Sequence, residues 1–157
     1  MKRTLAVTIL LSLILSLVSC KEERSADALM RELCEAYGCG AVVYSPSVPE
    51  GERGYTNEDF LSSLYSTVPS GVEDYAVALL CSLESHFEVG ILVCKTAYDA
   101  LEASRVCLER IELVRVICAK DAAAGDGAFV LRYGNTVAYA IAEDSESVRR
   151  ILDALLG

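Results

Sequence analysis

The first twenty residues constrain this chain most, because they divide it into an export segment and a domain. Lys2 and Arg3 form a short basic start, and residues 5–17 are almost wholly apolar. This pattern is typical of a secretory signal, since a membrane-spanning helix needs about 20 apolar residues. A charged stretch, residues 21–24, follows at once. We therefore predict a signal peptide over residues 1–19.

The signal ends on a cysteine. Residues 17–20 read Leu-Val-Ser-Cys, which resembles the bacterial lipobox. In proteins with that motif a diacylglyceryl group is attached to the cysteine sulfur, and cleavage makes this cysteine the first residue. Two acyl chains anchor a protein stably, because each buried methylene contributes about 0.8 kcal/mol. The resemblance predicts Cys20 as the lipid attachment site on the outer face of the cell membrane. An ordinary secretory signal and an uncleaved anchor are the alternatives.

Charge limits what the mature chain can bind. Without Lys2 and Arg3 the 14 basic residues become 12, against 23 acidic ones, so the net charge is −11. Such a surface repels nucleic acid and anionic membranes. We expect no nucleic-acid partner, and we expect the lipid on Cys20 to be the only membrane attachment. Residues 20–25 form a short tether to a single domain over residues 26–157.

Helical spacing and capping residues mark the ends of the domain. Apolar residues recur at helical intervals over Ala26–Tyr37, with Ser25 as N-cap and Gly38 as the stop. Thr56 is expected to cap a short helix near residue 60. A last helix is predicted after Asp144, with either this residue or the next as its cap.

Two hairpins and a long helix lie between these ends. Residues 75–82 and 87–94 alternate as paired strands, and a second hairpin turns at Gly134-Asn135. Thr96 begins a long helix with one apolar stripe, which Leu101 and Leu108 flank. The residues that we assign to the stripe are Ala100, Ser104, Cys107, Ile111, Val114 and Cys118. The predicted fold class is α+β: an antiparallel sheet from two hairpins with helices packed on it. The body has the order β-β-α-β-β-α and is preceded by N-terminal helices.

These features together resemble a known group of proteins. The lipobox leader, the stretches at residues 75–79 and 88–95, the long helix and the Gly134-Asn135 hairpin are similar to a family of Gram-positive bacterial lipoproteins. That family is known only as a domain of unknown function. The resemblance covers about residues 26–157, supports the fold and location, and implies no activity, substrate or site.

Six cysteines remain once Cys20 carries lipid: Cys34, Cys39, Cys81, Cys94, Cys107 and Cys118. An even number in an exported domain is compatible with disulfides, but the spacing favours buried thiols, because cysteine packs as a small hydrophobe. If bridges form, Cys81–Cys94 and Cys34–Cys39 are the pairs we expect.

Residues that could carry chemistry are few, and we predict no catalytic, metal or cofactor site. The only histidine, His86, is predicted in a hairpin turn facing water. Calcium ligands would have to come from Asp121 and Asp126, or from Glu143, Asp144 and Glu146, and neither group matches a calcium-binding loop. We assign these carboxylates to helix capping and to the solvated surface.

The tyrosines of the early loop region are the remaining candidates. Tyr44, Tyr55 and Tyr65 could line a ligand site, but packing at the core edge is the favoured assignment. We therefore expect a non-catalytic binding or interaction module of the envelope, with a protein partner. A structural or stress-related envelope protein and an enzyme with an unrecognised site are the alternatives.

Overall fold

An antiparallel sheet of five strands forms the middle of the protein in the computed structural model. The structure describes residues 24–57, 59–81, 86–117 and 127–157. Strand order across the sheet is β1-β2-β3-β5-β4, and every neighbouring pair is antiparallel. The strands are β1 (Val42–Tyr44), β2 (Val72–Cys81), β3 (His86–Cys94), β4 (Phe129–Tyr133) and β5 (Thr136–Ile141).

Helices cover both faces of this sheet. They are α1 (Ala26–Tyr37), α2 (Asp59–Leu64), α3 (Ala97–Ile117) and α4 (Ser145–Leu156). Helices α1 and α4 share one apolar cluster with the sheet, and α2 and α3 share the other. The predicted α+β class and the β-β-α-β-β-α body are confirmed, with β1 added as a fifth strand at the edge.

Local capping chemistry explains where the helices begin and end. The Ser25 side chain accepts a hydrogen bond from the Ala28 amide, and Gly38 adopts a left-handed conformation with φ of 75°. Thr96 accepts a bond from the Asp99 amide at 3.1 Å. These caps satisfy backbone groups that a helix leaves without partners. Asp144, one of the two predicted candidates, caps α4.

One predicted cap is wrong. The Thr56 hydroxyl accepts a hydrogen bond from the Tyr75 hydroxyl at 2.8 Å, so it joins the core instead of starting α2. The amide of Asp59 bonds instead to the side chain of Asn57. Thr56 thus makes a tertiary hydrogen bond to Tyr75 instead of the local capping bond that was predicted.

The long helix α3 also departs from the prediction in detail. Ala103 rather than Ser104 belongs to its buried stripe, while Leu101 and Leu108 are 46% and 52% exposed. They were expected to flank the buried stripe, but lie on the outward side of the helix. Cys118, the last residue of the predicted stripe, lies outside the described residues.

The layered domain has a lower end and an upper end. The lower end holds the start of β2 and the end of β3, where the Lys95 amide bonds to Gly71, and also Arg24 and the β4–β5 turn at Asn135. Helices α1 and α3 start there and α4 ends there. The upper end holds the start of β3 at His86 and the end of α3.

A glycine in the central strand sets a stability prediction. Gly90 pairs with Tyr139, and a Cβ on Gly90 would lie 2.2 Å from Cε1 of that ring. We expect Gly90→Ala to lower the free energy of unfolding by about 1–3 kcal/mol, as overpacking in a core does. Urea denaturation monitored by circular dichroism measures this.

The matched control is Gly40→Ala, because nothing lies within 4 Å of a Cβ built on Gly40. Its unfolding midpoint should stay close to that of the parent protein. Equal midpoints for the two variants would contradict the packing of Tyr139 against β3.

Candidate functional site

The most unusual chemical group in the core is a carboxylate on the central strand. Glu88 is completely buried, on the face of β3 that α3 covers. Arg110 of α3 donates two hydrogen bonds to it, each 2.8 Å long. The hydroxyl of Tyr139 on β5 donates a third at 2.7 Å. Buried charges need such partners, because water no longer solvates them.

Two further side chains extend this cluster. His86 Nε2 lies 3.3 Å from Glu88 Oε2, and the Tyr65 hydroxyl donates to the Tyr139 hydroxyl at 3.2 Å. The prediction that His86 is a solvated turn residue is wrong: it is the first residue of β3, and its side chain is only 13% exposed. Residues 84 and 85 of the predicted turn lie outside the described residues. We call these five side chains the Glu88 cluster.

The cluster keeps Glu88 ionised. Burial alone raises the pKa of this carboxyl group, but hydrogen bonds from Arg110, His86 and Tyr139 and the charge of Arg110 more than offset it. The pKa of Glu88 therefore falls from 4.5 to about 2. Burial lowers the pKa of Arg110, but the hydrogen bonds to Glu88 and its charge more than offset this and raise the pKa above its usual value. Both groups stay charged at neutral pH.

Such a carboxylate is a poor proton shuttle. General acid–base catalysis works best when the pKa lies near the operating pH, and Glu88 lies far below it. Its two oxygens already accept bonds from Arg110 and Tyr139. The arrangement is what an internal structural ion pair requires, with every charge paired.

Sequence reasoning missed Glu88, Arg110 and Tyr139 because each looks ordinary in its own segment. A glutamate at the start of an alternating strand and an arginine on a long helix are usually solvated. The one usable signal is Gly90, since a glycine inside a strand often marks the close approach of another group. Here that group is the Tyr139 ring.

The cysteines mostly behave as core residues. Cys34, Cys94 and Cys107 are buried, and Cys39 is half-buried; all four are free thiols. Burial raises the pKa of Cys94 to about 11, which keeps it protonated and unreactive.

Neither predicted disulfide is present. In the β2–β3 ladder Cys81 pairs with His86 and Cys94 pairs with Val72, so these cysteines lie at opposite ends of the hairpin. Cys34 and Cys39 lie close together as thiols; burial and the hydrogen bond to Cys39 raise the pKa of Cys34 to about 12.

The acidic candidates form no site within the described residues. Asp144 caps α4 by accepting a bond from the Ser147 amide, and Asp121 and Asp126 lie outside the described part of the chain. Across residues 24–57, 59–81, 86–117 and 127–157, no three His, Cys, Asp or Glu side chains group so as to hold a metal ion.

The predicted tyrosines divide between core and surface. Tyr65 is buried against Tyr139, and Tyr44 stacks on Phe60 with the ring centroids 5.3 Å apart. Only Tyr55 is exposed, beside a shallow depression of about 340 Å³. The packing assignment thus holds for Tyr44 and Tyr65.

A larger concavity lies between α1 and α4. This groove measures about 550 Å³. Its floor is largely apolar and its rim carries both charges; the lining residues are Glu32, Ala36, Tyr37, Asp144, Ser147, Arg150, Ile151, Ala154 and Leu155. We call it the α1–α4 groove. It was not predicted, because two separate helices from opposite ends of the chain form it.

Comparisons of this chain with protein-family models, curated proteins and solved structures found no match. The resemblance to Gram-positive lipoproteins therefore stays a prediction. Among the described residues, no helix has both the length and the apolar character needed to cross a bilayer.

The Glu88 cluster generates a prediction on stability. Glu88→Gln removes the charge opposite Arg110, whose side chain is 15% exposed. Breaking a buried ion pair lowers the free energy of unfolding by about 3–5 kcal/mol. A carboxyl group with a lowered pKa in the folded protein stabilises it above the unfolded-state pKa, and that contribution disappears as pH falls toward the folded value. Urea denaturation should therefore show the largest loss in the free energy of unfolding of Glu88→Gln near pH 7. This loss should become smaller between about pH 4.5 and pH 2.

The control is Glu112→Gln, which breaks a solvent-exposed pair with Arg115 on the same helix as Arg110. Glu112→Gln should change the free energy of unfolding by less than about 1 kcal/mol. A deficit for Glu88→Gln that is equally small, or that does not change with pH, would contradict an ionised Glu88.

Proposed function

We propose that this chain is a lipid-anchored lipoprotein of the bacterial cell envelope, and that its domain acts outside the membrane as a non-catalytic binding module. The observation that carries the proposal is the Leu-Val-Ser-Cys motif at the end of an apolar, basic-started leader. The diacylglyceryl group on Cys20 would be its membrane attachment.

The position at which the folded domain begins supports this proposal. Arg24 donates hydrogen bonds to the Glu32 carboxylate at 2.7 Å and to the Leu155 carbonyl at 2.9 Å. The amide of Ala26 bonds to Asp74 at 2.7 Å. Arg24, four residues after Cys20 in the sequence, is thus already held by the folded domain, as the proposal of a short tether requires.

Binding rather than catalysis is supported by the state of the buried charges. The carboxylate of Glu88 is occupied by Arg110 and Tyr139 and has a pKa of about 2. The α1–α4 groove, by contrast, offers an apolar floor with charged groups at its rim, which is the usual composition of a ligand site. We assign the binding function to this groove.

Anchoring is tested by changing the cysteine. In a bacterial host, Cys20→Ala should abolish incorporation of radiolabelled palmitate and shift the protein from the detergent phase to the aqueous phase in Triton X-114 partition. The physical reason is the loss of two acyl chains, each methylene of which contributes about 0.8 kcal/mol to membrane binding. If the variant is not cleaved, it should instead accumulate as the unprocessed precursor.

The matched control is Cys39→Ala, which removes a half-buried thiol of the domain and leaves the motif intact. It should stay labelled and in the detergent phase. A cleaved Cys20→Ala product that still partitions with detergent would contradict the proposed anchor.

A further inference from the structure

A short tether limits how the domain can lie on a membrane. Arg24 follows Cys20 by four residues, and an extended chain spans at most about 3.6 Å per residue. Arg24 therefore stays within about 14 Å of the lipid-bearing residue. Because Arg24 is hydrogen-bonded to α1 and α4, the whole domain shares this restriction.

Arg24 lies at the lower end of the layers. It borders a cleft of about 330 Å³ together with Glu73, Asp74, Asn135 and Thr136, which belong to the start of β2 and the β4–β5 turn. It also lies on the sheet face covered by α1 and α4. Helix α3 packs on the opposite face.

We infer that the lower end of the domain faces the lipid headgroups, so that α3 begins near the bilayer and leads away from it, and its exposed apolar face does not lie on the lipid. This inference rests on the proposed lipidation of Cys20. The side chains concerned are Tyr98, Leu101 and Leu108 along the helix, and Val116 and Ile117 at the upper end.

Exposure alone suggests the opposite orientation, with the apolar face of α3 on the bilayer. Tyr98 is 70% exposed, Val116 75% and Ile117 69%, and an exposed apolar helix face is the usual signature of a membrane-inserting element. To lay this face on the bilayer, the tether would have to pass around three layers. With layers about 10 Å apart, that path is about 20 Å, longer than the tether.

Charge adds no competing attraction. Among the residues that the structure describes, the lower end carries Glu73, Asp74, Asp99 and Asp153 beside Arg24 and Lys95, and these form no basic cluster of the kind that binds anionic lipid. The mature chain is also strongly acidic. The orientation therefore follows from where the tether is attached, and neutral lipids should give the same result as anionic ones.

Positions along α3 lie at increasing distances from the lower end and can therefore test the orientation. The helix runs from the lower to the upper end, and Tyr98 and Val116 are about 27 Å apart at 1.5 Å per residue. The chain contains no tryptophan, so one introduced indole is the only source of tryptophan fluorescence. Three exposed positions serve: Tyr98→Trp, Leu108→Trp and Val116→Trp.

Each lipidated full-length variant is reconstituted into phosphatidylcholine vesicles that contain a headgroup nitroxide lipid. We expect loss of fluorescence to be greatest for Tyr98→Trp, smaller for Leu108→Trp, and absent for Val116→Trp. Urea unfolding curves check that the variants fold, and Ile117→Trp replaces any variant at the upper end that does not.

Equal quenching at all three positions, or strongest quenching at the upper end, would overturn the orientation. The mass of the N-terminal peptide and flotation with vesicles separate the two proposals. A lipidated, vesicle-bound protein without the gradient overturns the orientation alone. A protein without lipid overturns the anchor and, with it, the orientation.

Discussion

The ion pair between Glu88 and Arg110 is the contact on which the rest of the structure depends. A carboxylate on the central strand of a sheet covered on both faces is stable only if the neighbouring layers supply donors. Arg110 supplies them from α3 and Tyr139 from β5. Gly90 leaves the space in which the Tyr139 ring lies. The cluster thereby joins β3, α3 and β5.

The opposite face of the sheet holds Arg24, the first described residue after Cys20. There α1 and α4 pack together, and Arg24 bonds to both. The same pair of helices forms the α1–α4 groove. The proposed binding surface and the proposed attachment of the tether thus share one pair of helices, and the buried ion pair lies on the other face of the sheet. The buried charges serve stability, and the proposed function belongs to the surface and the anchor.

Local signals in the sequence were sufficient for the elements but not for the site. Ser25, Gly38 and the Gly134 turn act within a few residues, and each was predicted correctly. Thr56 was placed wrongly because its partner Tyr75 is distant in the sequence. His86 was placed wrongly because its neighbour Glu88 is buried and bonded to Arg110 of α3. The groove is likewise invisible in sequence, since its two walls are more than a hundred residues apart.

The central functional claim is that the mature protein begins at a lipidated Cys20. Mass spectrometry of the N-terminal peptide from membrane-extracted protein tests this claim most directly. The account predicts a peptide that starts at Cys20 and carries the mass of a diacylglyceryl group, which alkaline hydrolysis reduces by its fatty acids. A peptide that starts at Met1, or at any other residue with an unmodified Cys20 or none, would contradict it.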